Sequence, residues 1–595
     1  MKVTFLPDHI VREVESGTTI MQAAIDAGLK IDAPCGGNGK CGKCKVKVID
    51  ANGAETVLAC KTEITGDITV ELGANTEGHR ILMGGITRDI VENPAVKAVT
   101  IKVPEPSTED LRACWLRLKE TVAETAGIPA DGIQPSVYTA SHLYNTLTAN
   151  NFEVDALIYD NTVLDVVPVG SDVLAMAFDI GTTTIAAYFI DLRTGEQLAQ
   201  ASLLNPQTKY GADVIMRMKY AIENGLEGPT GDVREALMTL TEKCANEAGK
   251  KLSDIYVVTL VGNTCMHHLF MGIHPASLAY APYTAAIAEP IIENAKDYGF
   301  AINPNAKLFF LPNIAGFVGA DTVGAALAAA MDEAEEITLL IDIGTNGEMV
   351  MGDKNRLVAC STAAGPAFEG ALITYGMRGA AGAIDHFKLS DGKLDYSVIG
   401  DGKPLGICGS GLIDLLSELV RVGLVESGGK FLMGDEIEDE EGKLYADRIE
   451  MRDGFRCFLI ADETESANGE RIVFTQKDVR EVQLAKGAMA AGIQMMCQRL
   501  GIKTKDIVHI MIAGAFGSYM SPQSAAGIAL IPPELGDEVV AIGNAAGQGA
   551  KLCALSVDEY KRSAKLALKM EYLELAADPK FQDIFVDELE FPSDY

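Results

Sequence analysis

The stretch VLAMAFDIGTTTIAAYFIDLRTG, residues 173–195, sets the sequence Asp-Ile-Gly-Thr between two apolar runs. A second stretch, ITLLIDIGTNGEMVMGDKNR at residues 337–356, repeats this arrangement. In both, an apolar strand ends at an aspartate, Asp179 or Asp342, and a polar glycine turn leads into a second apolar strand. A repeat on this scale predicts two structurally similar lobes.

The repeat extends beyond the two loops. Each half contains a second apolar strand that ends in a glycine loop, in IYVVTLVGNT (255–264) and IVHIMIAGAFGS (507–518). Each half also contains a third matching stretch, in LFFLPNIAGFVGADTVGAALAA and VVAIGNAAGQGAKLCAL. Alternating strands and helices predict α/β lobes. We place these lobes at about residues 171–335 and 336–595.

The loops carry the residue types that bind phosphate. A tight turn between strands offers backbone N–H groups and threonine hydroxyls to phosphate oxygens. An aspartate at the end of such a strand can hold Mg²⁺ through water or orient an attacking water. One Asp-Ile-Gly-Thr turn is a weak signal, but two in register within a duplication indicate a nucleotide site.

Two further glycine loops precede predicted helices, AAGPAFEGAL (363–372) and GICGSGLIDLL (406–416). Because a helix N-terminus favours anions, Gly365, Gly409 and Ser410 are candidate nucleotide contacts. Ordinary tight packing is the alternative interpretation of these glycines. Cys408 has no neighbouring histidine in the sequence and is interpreted as structural.

The N-terminal part holds a different site. The motif CGGNGKCGKC spans residues 35–44 and is followed by Cys60 in VLAC. The candidate metal ligands are Cys35, Cys41, Cys44 and Cys60, in the pattern C-x5-C-x2-C-x15-C. Glycines let the loop wrap closely and direct N–H groups at anionic sulfurs.

The spacing favours a [2Fe–2S] cluster. The plant-type ferredoxin pattern is one residue shorter in its first gap, and vertebrate-type ferredoxins share the longer gap. A zinc site is the alternative, but zinc ribbons usually have two C-x2-C pairs, whereas this chain has one. Two short strands, MKVTFLP and HIVREVES, and the helix TTIMQAAIDAGLKI precede the loop. Residues 1–75 are therefore predicted to form a β-grasp ferredoxin domain.

Five lysines surround the predicted cluster: Lys40, Lys43, Lys45, Lys47 and Lys61. They either offset the negative charge of the cluster or form a docking face for an acidic protein.

Residues 76–94 have no regular period and are interpreted as a linker with one short helix. Residues 95–170 resemble a small α+β domain. Its predicted elements are a strand at AVKAVTIKV, a helix from Ser107, a helix at SVYTASHLYNTL and a hairpin that turns at Asp160-Asn161.

Composition excludes several functions. The chain has 595 residues and a formal net charge of −33, which argues against nucleic acid as a partner. Its start does not resemble a signal peptide, and no apolar run approaches the roughly 18 residues of a membrane span, so we expect a cytoplasmic protein. Twelve cysteines in that compartment are not expected to form disulfides. His267, His268 and His274 lack a carboxylate at ligand spacing and are interpreted as structural.

The C-terminal half resembles the superfamily of actin, Hsp70, and acetate and sugar kinases, whose two ribonuclease-H-like lobes close over ATP. The resemblance implies catalytic roles in positioning Mg²⁺ and water for Asp179 and Asp342, with Glu348 in the same set. It also implies that Gly514 and Gly517 of the AGAFG loop admit the adenine. Helices after Gly319 and after Gly547 are implied to connect the lobes at their hinge. The residues implied to hold phosphates are Gly181, Thr182, Thr183, Thr184, Gly344, Thr345 and Asn346.

The whole chain resembles one family, the reductive activators of corrinoid proteins. The motifs DIGTTT, NPQTKYGADV (205–214), VGNTCMHH, DIGTNGE, GPAFEG and AGAFG carry this resemblance. Cys265 in GNTCMHH departs from it, because threonine is expected there. The resemblance implies that ATP drives one electron from the [2Fe–2S] cluster to a cobalt(II) corrinoid protein, restoring the cobalt(I) state required for methyl transfer.

The implied partners are the corrinoid protein of a methyltransferase system, a low-potential donor such as ferredoxin or a flavodoxin-like protein, and a second copy in a homodimer. Two other functions remain open: a redox-regulated small-molecule kinase and a non-catalytic nucleotide-binding protein. The activators of 2-hydroxyacyl-CoA dehydratases also couple this ATPase fold to iron–sulfur chemistry. Their cluster bridges two subunits, whereas this chain has four clustered cysteines of its own.

Overall fold

The computed structural model describes residues 1–6, 10–14, 16–27, 29, 31, 44–50, 53–71, 86, 88–363, 366–517 and 519–593. The described residues form separate hydrophobic cores. One core is built from residues 3–70, another from residues 101–166, and two larger cores belong to the C-terminal region. Among the described helices, none is long and apolar enough to cross a membrane.

The N-terminal residues form a five-stranded sheet in the order β2-β1-β5-β3-β4, with one helix packed on it. The elements are β1 (Lys2–Leu6), β2 (Ile10–Glu13), α1 (Ile20–Asp26), β3 (Lys45–Asp50), β4 (Gly53–Leu58) and β5 (Ile68–Glu71). Thr19 caps the helix, because its Oγ1 accepts a hydrogen bond from the N–H of Gln22 at 3.2 Å. The predicted order of two strands and a helix is confirmed.

The next unit is a three-stranded antiparallel sheet with two helices. The elements are β6 (Val96–Lys102), α2 (Cys114–Ala126), α3 (Val137–Ala149), β7 (Glu153–Tyr159) and β8 (Thr162–Pro168). The hairpin turns at Asp160, whose φ of +48° is the left-handed conformation that such a turn needs.

The helix expected from Ser107 begins instead at Cys114, and that prediction was wrong. Ser107 Oγ does accept a hydrogen bond from the N–H of Asp110 at 3.2 Å, as a helix cap would. However, the Asp110 carboxylate accepts hydrogen bonds from Arg112 and from the buried Arg117, and these bonds hold the segment as a loop. Local side-chain bonds of this kind compete with helix formation.

The first lobe contains a six-stranded sheet in the order β11-β10-β9-β12-β14-β13. Its elements are β9 (Leu174–Ile180), β10 (Thr184–Asp191), β11 (Gln197–Leu204), α4 (Val214–Asn224), α5 (Glu227–Ala248), β12 (Ile255–Gly262), α6 (Thr264–Met271), α7 (Ala276–Ala279), β13 (Ile291–Asn294), β14 (Lys307–Phe310) and α8 (Ala320–Ala328).

The second lobe contains a six-stranded sheet in the order β25-β24-β15-β16-β17-β26 and two smaller sheets. Its first elements are β15 (Thr338–Ile343), β16 (Gly347–Gly352), β17 (Leu357–Thr362), β18 (Ala383–Ser390), β19 (Lys393–Val398), β20 (Gly406–Ile407), α9 (Gly409–Arg421), α10 (Glu440–Lys443), β21 (Ile449–Arg452), β22 (Phe455–Ala461) and β23 (Ile472–Thr475). The remaining elements are α11 (Gln476–Leu500), β24 (His509–Ala513), α12 (Gly514–Gly517), α13 (Pro522–Gly527), β25 (Val539–Gly543), α14 (Ala545–Leu555), α15 (Val557–Lys569), β26 (Met570–Tyr572) and α16 (Pro579–Asp587).

The two large sheets share one topology. In the first, β9, β10 and β11 are antiparallel neighbours, and β12 and β14 continue the sheet in parallel beside β9. In the second, β15, β16, β17, β24 and β25 repeat this order and these directions. The predicted duplication of an α/β lobe is confirmed.

Each lobe also contributes a helix to the junction between them. Helix α8 begins after Gly319 as predicted, whereas α14 begins at Ala545, just before the expected Gly547. Helix α14 of the second lobe packs on β9 and β12 of the first, and α8 contacts β15 and β16 of the second. The two helices cross so closely that a Cβ on Gly549 would lie 2.2 Å from the carbonyl oxygen of Gly324. Glycine therefore permits this crossing.

The described part of the predicted linker, residues 86 and 88–94, contains no helix, and the rest lies outside the described residues. This part of the linker packs against the second lobe. Ile86 donates its N–H to the carbonyl of Ile542 at 2.9 Å, and Asn93 donates its N–H to the carbonyl of Leu555 at 3.0 Å. Residues 86 and 88–94 are thus attached to the part of the second lobe that carries β25 and α14.

Candidate functional site

A cleft of about 340 Å³ lies between the two lobes, with the Asp-Ile-Gly-Thr loops on opposite walls. The structure brings most of the predicted nucleotide residues together here. Those that line the cleft are Asp179, Gly181, Thr182, Thr183, Thr184, Asp342, Gly344, Thr345, Asn346, Glu348, Gly409, Ser410 and Gly514. Gly365 lies outside the described residues, and Gly517 is buried away from the cleft, where a Cβ would lie 2.3 Å from Cγ2 of Ile512.

The first loop, residues 181–183, joins β9 to β10 in a tight turn. A Cβ on Gly181 would lie 2.5 Å from the carbonyl oxygen of Thr184, so the turn requires glycine. Asn263, which caps α6, donates from Nδ2 to the Thr182 hydroxyl at 2.9 Å. The side chain that follows β12 thus fixes a hydroxyl of the loop that follows β9, because the two strands are parallel neighbours.

The second loop, residues 344–346, closes on itself. Gly344 donates its N–H to the carbonyl of Asn346 at 2.9 Å. Gly514, at the end of β24, has a φ of +85°, and a Cβ there would lie 2.9 Å from Oδ1 of Asp342. Both the backbone conformation and the close approach to this carboxylate require glycine at position 514.

Glu369 connects the two loops across the cleft. Its Oε1 accepts a hydrogen bond from the Thr345 hydroxyl at 2.8 Å, and its Oε2 accepts one from the Thr183 hydroxyl at 3.4 Å. Glu369 belongs to the segment 363–372, which was expected to open a helix. It instead forms a single turn at Pro366–Glu369, which ends at Gly370 and Leu372 with φ values of +78° and +67°.

Helix α9 opens at Gly409 as expected, with Cys408 as its cap. The Cys408 Sγ donates to the carbonyl of Ile384 at 3.3 Å, and the Ser410 hydroxyl donates to the carbonyl of Asp385 at 2.9 Å. Burial raises the pKa of the Cys408 thiol. Cys408 itself lines the cleft, and these contacts agree with its structural interpretation.

Four carboxylates of the cleft have raised pKa values. Burial raises the pKa of Asp179 to about 7, with a further contribution from the charges of Asp321 and Asp342. Burial followed by repulsion from Asp321 raises the pKa of Asp342 to about 7, and burial raises that of Asp321 to about 6. Burial, followed by the charges of Asp321 and Asp342, raises the pKa of Glu348 well above its usual range. Such a set of oxygen ligands fits a hard divalent cation, which would offset their mutual repulsion.

Sequence reasoning missed four residues of the cleft: Asn263, Asp321, Glu369 and Asn544. Asp321 lies in the first turn of α8. The sequence did carry a sign of Asp321, because acidic residues are common in the first turn of a helix and a helix was predicted at this position. Asn544 caps α14 and donates from Nδ2 to Oδ2 of Asp179 at 3.0 Å. The helix caps therefore fix the side chains around the aspartates.

Negatively charged side chains predominate in the lining of the cleft. Of the described residues that line it, Arg378 is the only lysine or arginine, beside six carboxylates. These carboxylates are Asp179, Asp321, Asp342, Glu348, Glu369 and Asp385. An anionic nucleotide would therefore need a cation bound with it.

His267 and His268 are fully buried on α6. His268 donates from Nδ1 to the carbonyl of Thr264 at 2.8 Å, and its Nε2 accepts from the N–H of Ala286 at 3.0 Å. The His267 ring packs edge-on against Phe310. These contacts agree with the structural interpretation of the two histidines.

The predicted cluster site is described in part. Cys35 and Cys41 lie outside the described residues, as do Lys40 and Lys43. The Sγ atoms of Cys44 and Cys60 are 3.2 Å apart and form no disulfide. Two thiols from separate strand ends that converge in this way fit two ligands of one iron–sulfur cluster.

Three of the flanking lysines are described. Lys45, Lys47 and Lys61 are all exposed, and Lys47 pairs with Glu71, with Nζ and Oε2 at 3.2 Å.

Family models match four consecutive parts of the chain. A 2Fe-2S iron-sulfur cluster binding domain matches residues 4–65, and the RACo linker region matches residues 85–172. The RACo middle region matches residues 174–334, and the C-terminal domain of RACo, the ASKHA domain, matches residues 336–595. What the sequence indicated as a middle domain thus corresponds to the RACo linker region, and the first lobe corresponds to the RACo middle region.

Two curated relatives match most of the chain. The corrinoid activation enzyme RamQ of Eubacterium limosum is 34% identical over 585 residues, with 96% of each chain covered. The [Co(II) methylated amine-specific corrinoid protein] reductase of Methanosarcina barkeri is 24% identical over 449 residues, covering 70% of this chain and 76% of that protein.

One solved structure, a reductive activator for corrinoid, iron–sulfur protein, superposes with a TM-score of 0.74 at 32% identity and covers 99% of this chain and 98% of its own. The resemblance inferred from the motifs is confirmed, and so is the architecture of a ferredoxin domain joined to a duplicated ATPase fold. The chain therefore belongs to the family of reductive activators of corrinoid proteins.

Proposed function

We propose that this chain uses ATP to transfer one electron from its [2Fe–2S] domain to a corrinoid protein, reducing cobalt(II) to cobalt(I). One observation carries the proposal: a cleft walled by two Asp-Ile-Gly-Thr loops lies in the same chain as a cysteine site of ferredoxin type. RamQ, named as a corrinoid activation enzyme, matches both parts within one alignment.

We assign the cleft residues as follows. The threonines and N–H groups of both loops would hold the phosphates, and Gly514 would admit the base beside Asp342. Asp179, Asp321 and Asp342 would hold Mg²⁺ through oxygen, with Glu348 close to them. When bound, Mg²⁺ supplies positive charge that neutralises both the carboxylates and the phosphates.

Asn544 and Asn263 keep the site in place. Asn544 donates to Asp179, so one oxygen of that carboxylate is already oriented. Asn263 turns the Thr182 hydroxyl so that it accepts from the protein and can donate its own proton into the cleft. Both are positioning residues for the proposed ATP site.

The N-terminal residues hold the electron carrier. Cys35, Cys41, Cys44 and Cys60 would bind the cluster, which supplies one-electron transfer at low potential. We propose a low-potential ferredoxin or flavodoxin-like donor, which the exposed Lys45 and Lys61 would attract. A homodimer and a cytosolic location remain predictions.

We also propose the division into residues 1–75, 76–94, 95–170 and 171–595, with lobes meeting near residue 335. Separate hydrophobic cores at residues 3–70, 101–166 and 339–591 support it, while the core of the first lobe also includes side chains of the α+β part and of the second lobe.

The deciding experiment is anaerobic. The reduced protein is mixed with a cobalt(II) corrinoid protein, with and without MgATP, and the cobalt(I) absorption band is followed. We expect the band to depend on MgATP, and a rate unchanged by MgATP would overturn the proposal.

An Asp342→Ala variant extends this experiment. It should lose ATP turnover and cobalt reduction while it keeps the cluster spectrum. Asp583→Ala, at an exposed position on α16, is the matched control and should keep all three. Full activity of Asp342→Ala would contradict the assigned role of the cleft.

A further inference from the structure

Three consecutive carbonyl groups of the first loop are held from behind by buried donors. The carbonyl of Gly181 accepts from Nδ2 of Asn205 at 2.8 Å, and that of Thr183 accepts from the Asn205 N–H at 2.8 Å. Between them, the carbonyl of Thr182 accepts from Nη2 of Arg217 at 2.5 Å. Asn205 and Arg217 are both fully buried.

This arrangement determines where the N–H groups of the loop point. In a trans peptide, the carbonyl of one residue and the N–H of the next point in opposite directions. The carbonyls of residues 181–183 are fixed toward the interior, so the N–H groups of Thr182, Thr183 and Thr184 are directed away from it, toward the cleft that these residues line. In the described structure, the N–H groups of Thr182 and Thr183 have no protein acceptor.

Arg217 is unusual for a buried arginine. Its other bonds go to the carbonyl of Gly211 at 2.9 Å and to Sδ of Met266 at 3.4 Å, and no carboxylate in the described structure lies within ion-pair distance. Burial lowers the pKa of Arg217 to about 10, so the guanidinium remains charged at neutral pH. Burying a charge without an ion pair is costly. Here the hydrogen bonds to carbonyl groups and the more distant charges of Asp213 and Glu369 offset part of that cost.

The second loop has no such support. Its Asn346 carbonyl is bound within the loop by Gly344, and no lysine or arginine side chain donates to a carbonyl of residues 343–346 in the described structure. The duplicated loops therefore differ, although their sequences match. The positive charge lies behind the first loop only.

We propose that Arg217 and Asn205 are positioning residues that hold the first loop as a preformed nest of N–H groups for a nucleotide phosphate. Arg217 polarises the peptide between Thr182 and Thr183, which makes the Thr183 N–H a stronger donor, and its own charge attracts the anion through that peptide. The inference rests on the proposed ATP site and adds the element that recognises phosphate there.

The test compares ligands with and without phosphate. We expect Arg217→Met, which keeps an unbranched apolar stem but removes the guanidinium with its charge and donors, to weaken binding of a non-hydrolysable MgATP analogue by about 10- to 100-fold. The affinity for adenosine, measured by competition, should stay within about threefold, because adenosine lacks the group that the nest would bind. Arg217→Lys keeps a buried cation and should recover part of the loss.

Arg117→Met is the matched control. Arg117 is also buried but lies on α2, and its loss should leave both affinities unchanged. Equal weakening of both ligands in Arg217→Met, or no change in either, would overturn the inference. If Arg217→Met does not fold, Arg217→Lys is used instead. The inference then requires that this variant weakens the MgATP analogue more than adenosine, relative to the wild type.

The proposed function fails separately. A wild-type chain that binds no MgATP analogue would refute the ATP site itself. A wild-type chain that binds the analogue while Arg217→Met shows no phosphate discrimination would refute only the nest.

Discussion

Replacing Gly549 with alanine should loosen the junction between the two lobes. The added Cβ would lie 2.2 Å from the carbonyl oxygen of Gly324 and 2.5 Å from its Cα. Both atoms belong to the backbone, so no side chain can rotate away, and α8 and α14 must separate by about 1 Å to restore ordinary contact. Overpacking of this kind costs about 1–3 kcal/mol.

The measurement is the urea midpoint for loss of helical circular dichroism in the nucleotide-free protein. Gly231→Ala is the matched control, because Gly231 is exposed in the interior of α5 and a Cβ there would meet nothing within 4 Å. That variant should gain up to about 1 kcal/mol, since glycine is a poor helix former. Gly324→Ala, whose Cβ would lie 3.0 Å from the carbonyl oxygen of Ala546, should show a smaller loss than Gly549→Ala.

The order of stability should be Gly231→Ala, wild type, Gly324→Ala, Gly549→Ala. A Gly549→Ala midpoint equal to that of the wild type would refute the reasoning that this crossing leaves no room. Equal destabilisation by Gly231→Ala would show that the effect comes from glycine replacement in general.

Three further predictions concern the two sites. With pKa values of about 7, Asp179 and Asp342 are half protonated at pH 7. Mg²⁺ favours their charged forms, so MgATP binding should release at least about one proton, seen by calorimetry in buffers of different ionisation enthalpy. The release should fall as the pH rises above 7, and its absence at pH 7 would contradict the assignment. Glu369→Ala frees two loop hydroxyls and removes a negative charge, so MgATP should bind about 5- to 10-fold more tightly; weaker binding in equilibrium dialysis would instead make Glu369 a ligand. Cys60→Ser should lose the visible absorption of the cluster and keep ATP hydrolysis, whereas Cys114→Ser should keep both, and an unchanged spectrum in Cys60→Ser would remove Cys60 from the ligand set.

The duplicated lobes could be predicted because their signal is local. Apolar runs, an aspartate and a glycine turn stand within about 20 residues in each half, and strand periodicity is read from such windows. The start of α2 could not be predicted in this way. Ser107 begins a capping pattern, but the Asp110 carboxylate bonds to Arg117 instead. That contact requires α2, which carries Arg117, to be already formed.

The candidate site was predicted only as far as its loops. Glu369 and Asn544 reach the cleft from segments whose position depends on the assembled fold. Arg217 stands three residues after the motif NPQTKYGADV (205–214), but a sequence does not reveal that a particular arginine is buried without a carboxylate. Cys44 and Cys60 converge as the spacing suggested, while the loop that carries the other two cysteines lies outside the described residues.

The exchange of helices between the lobes also constrains how the chain folds during synthesis. The core of the first lobe includes Ala545, Ala550 and Leu552 of α14, roughly 200 residues beyond the end of that lobe near residue 335. At about 5–20 residues per second, the ribosome needs about 10–40 s to supply them. For that period the emerging first lobe presents an apolar sheet face without its cover. The nascent chain should therefore be a substrate for chaperones, and a fragment cut at the lobe boundary should aggregate rather than fold.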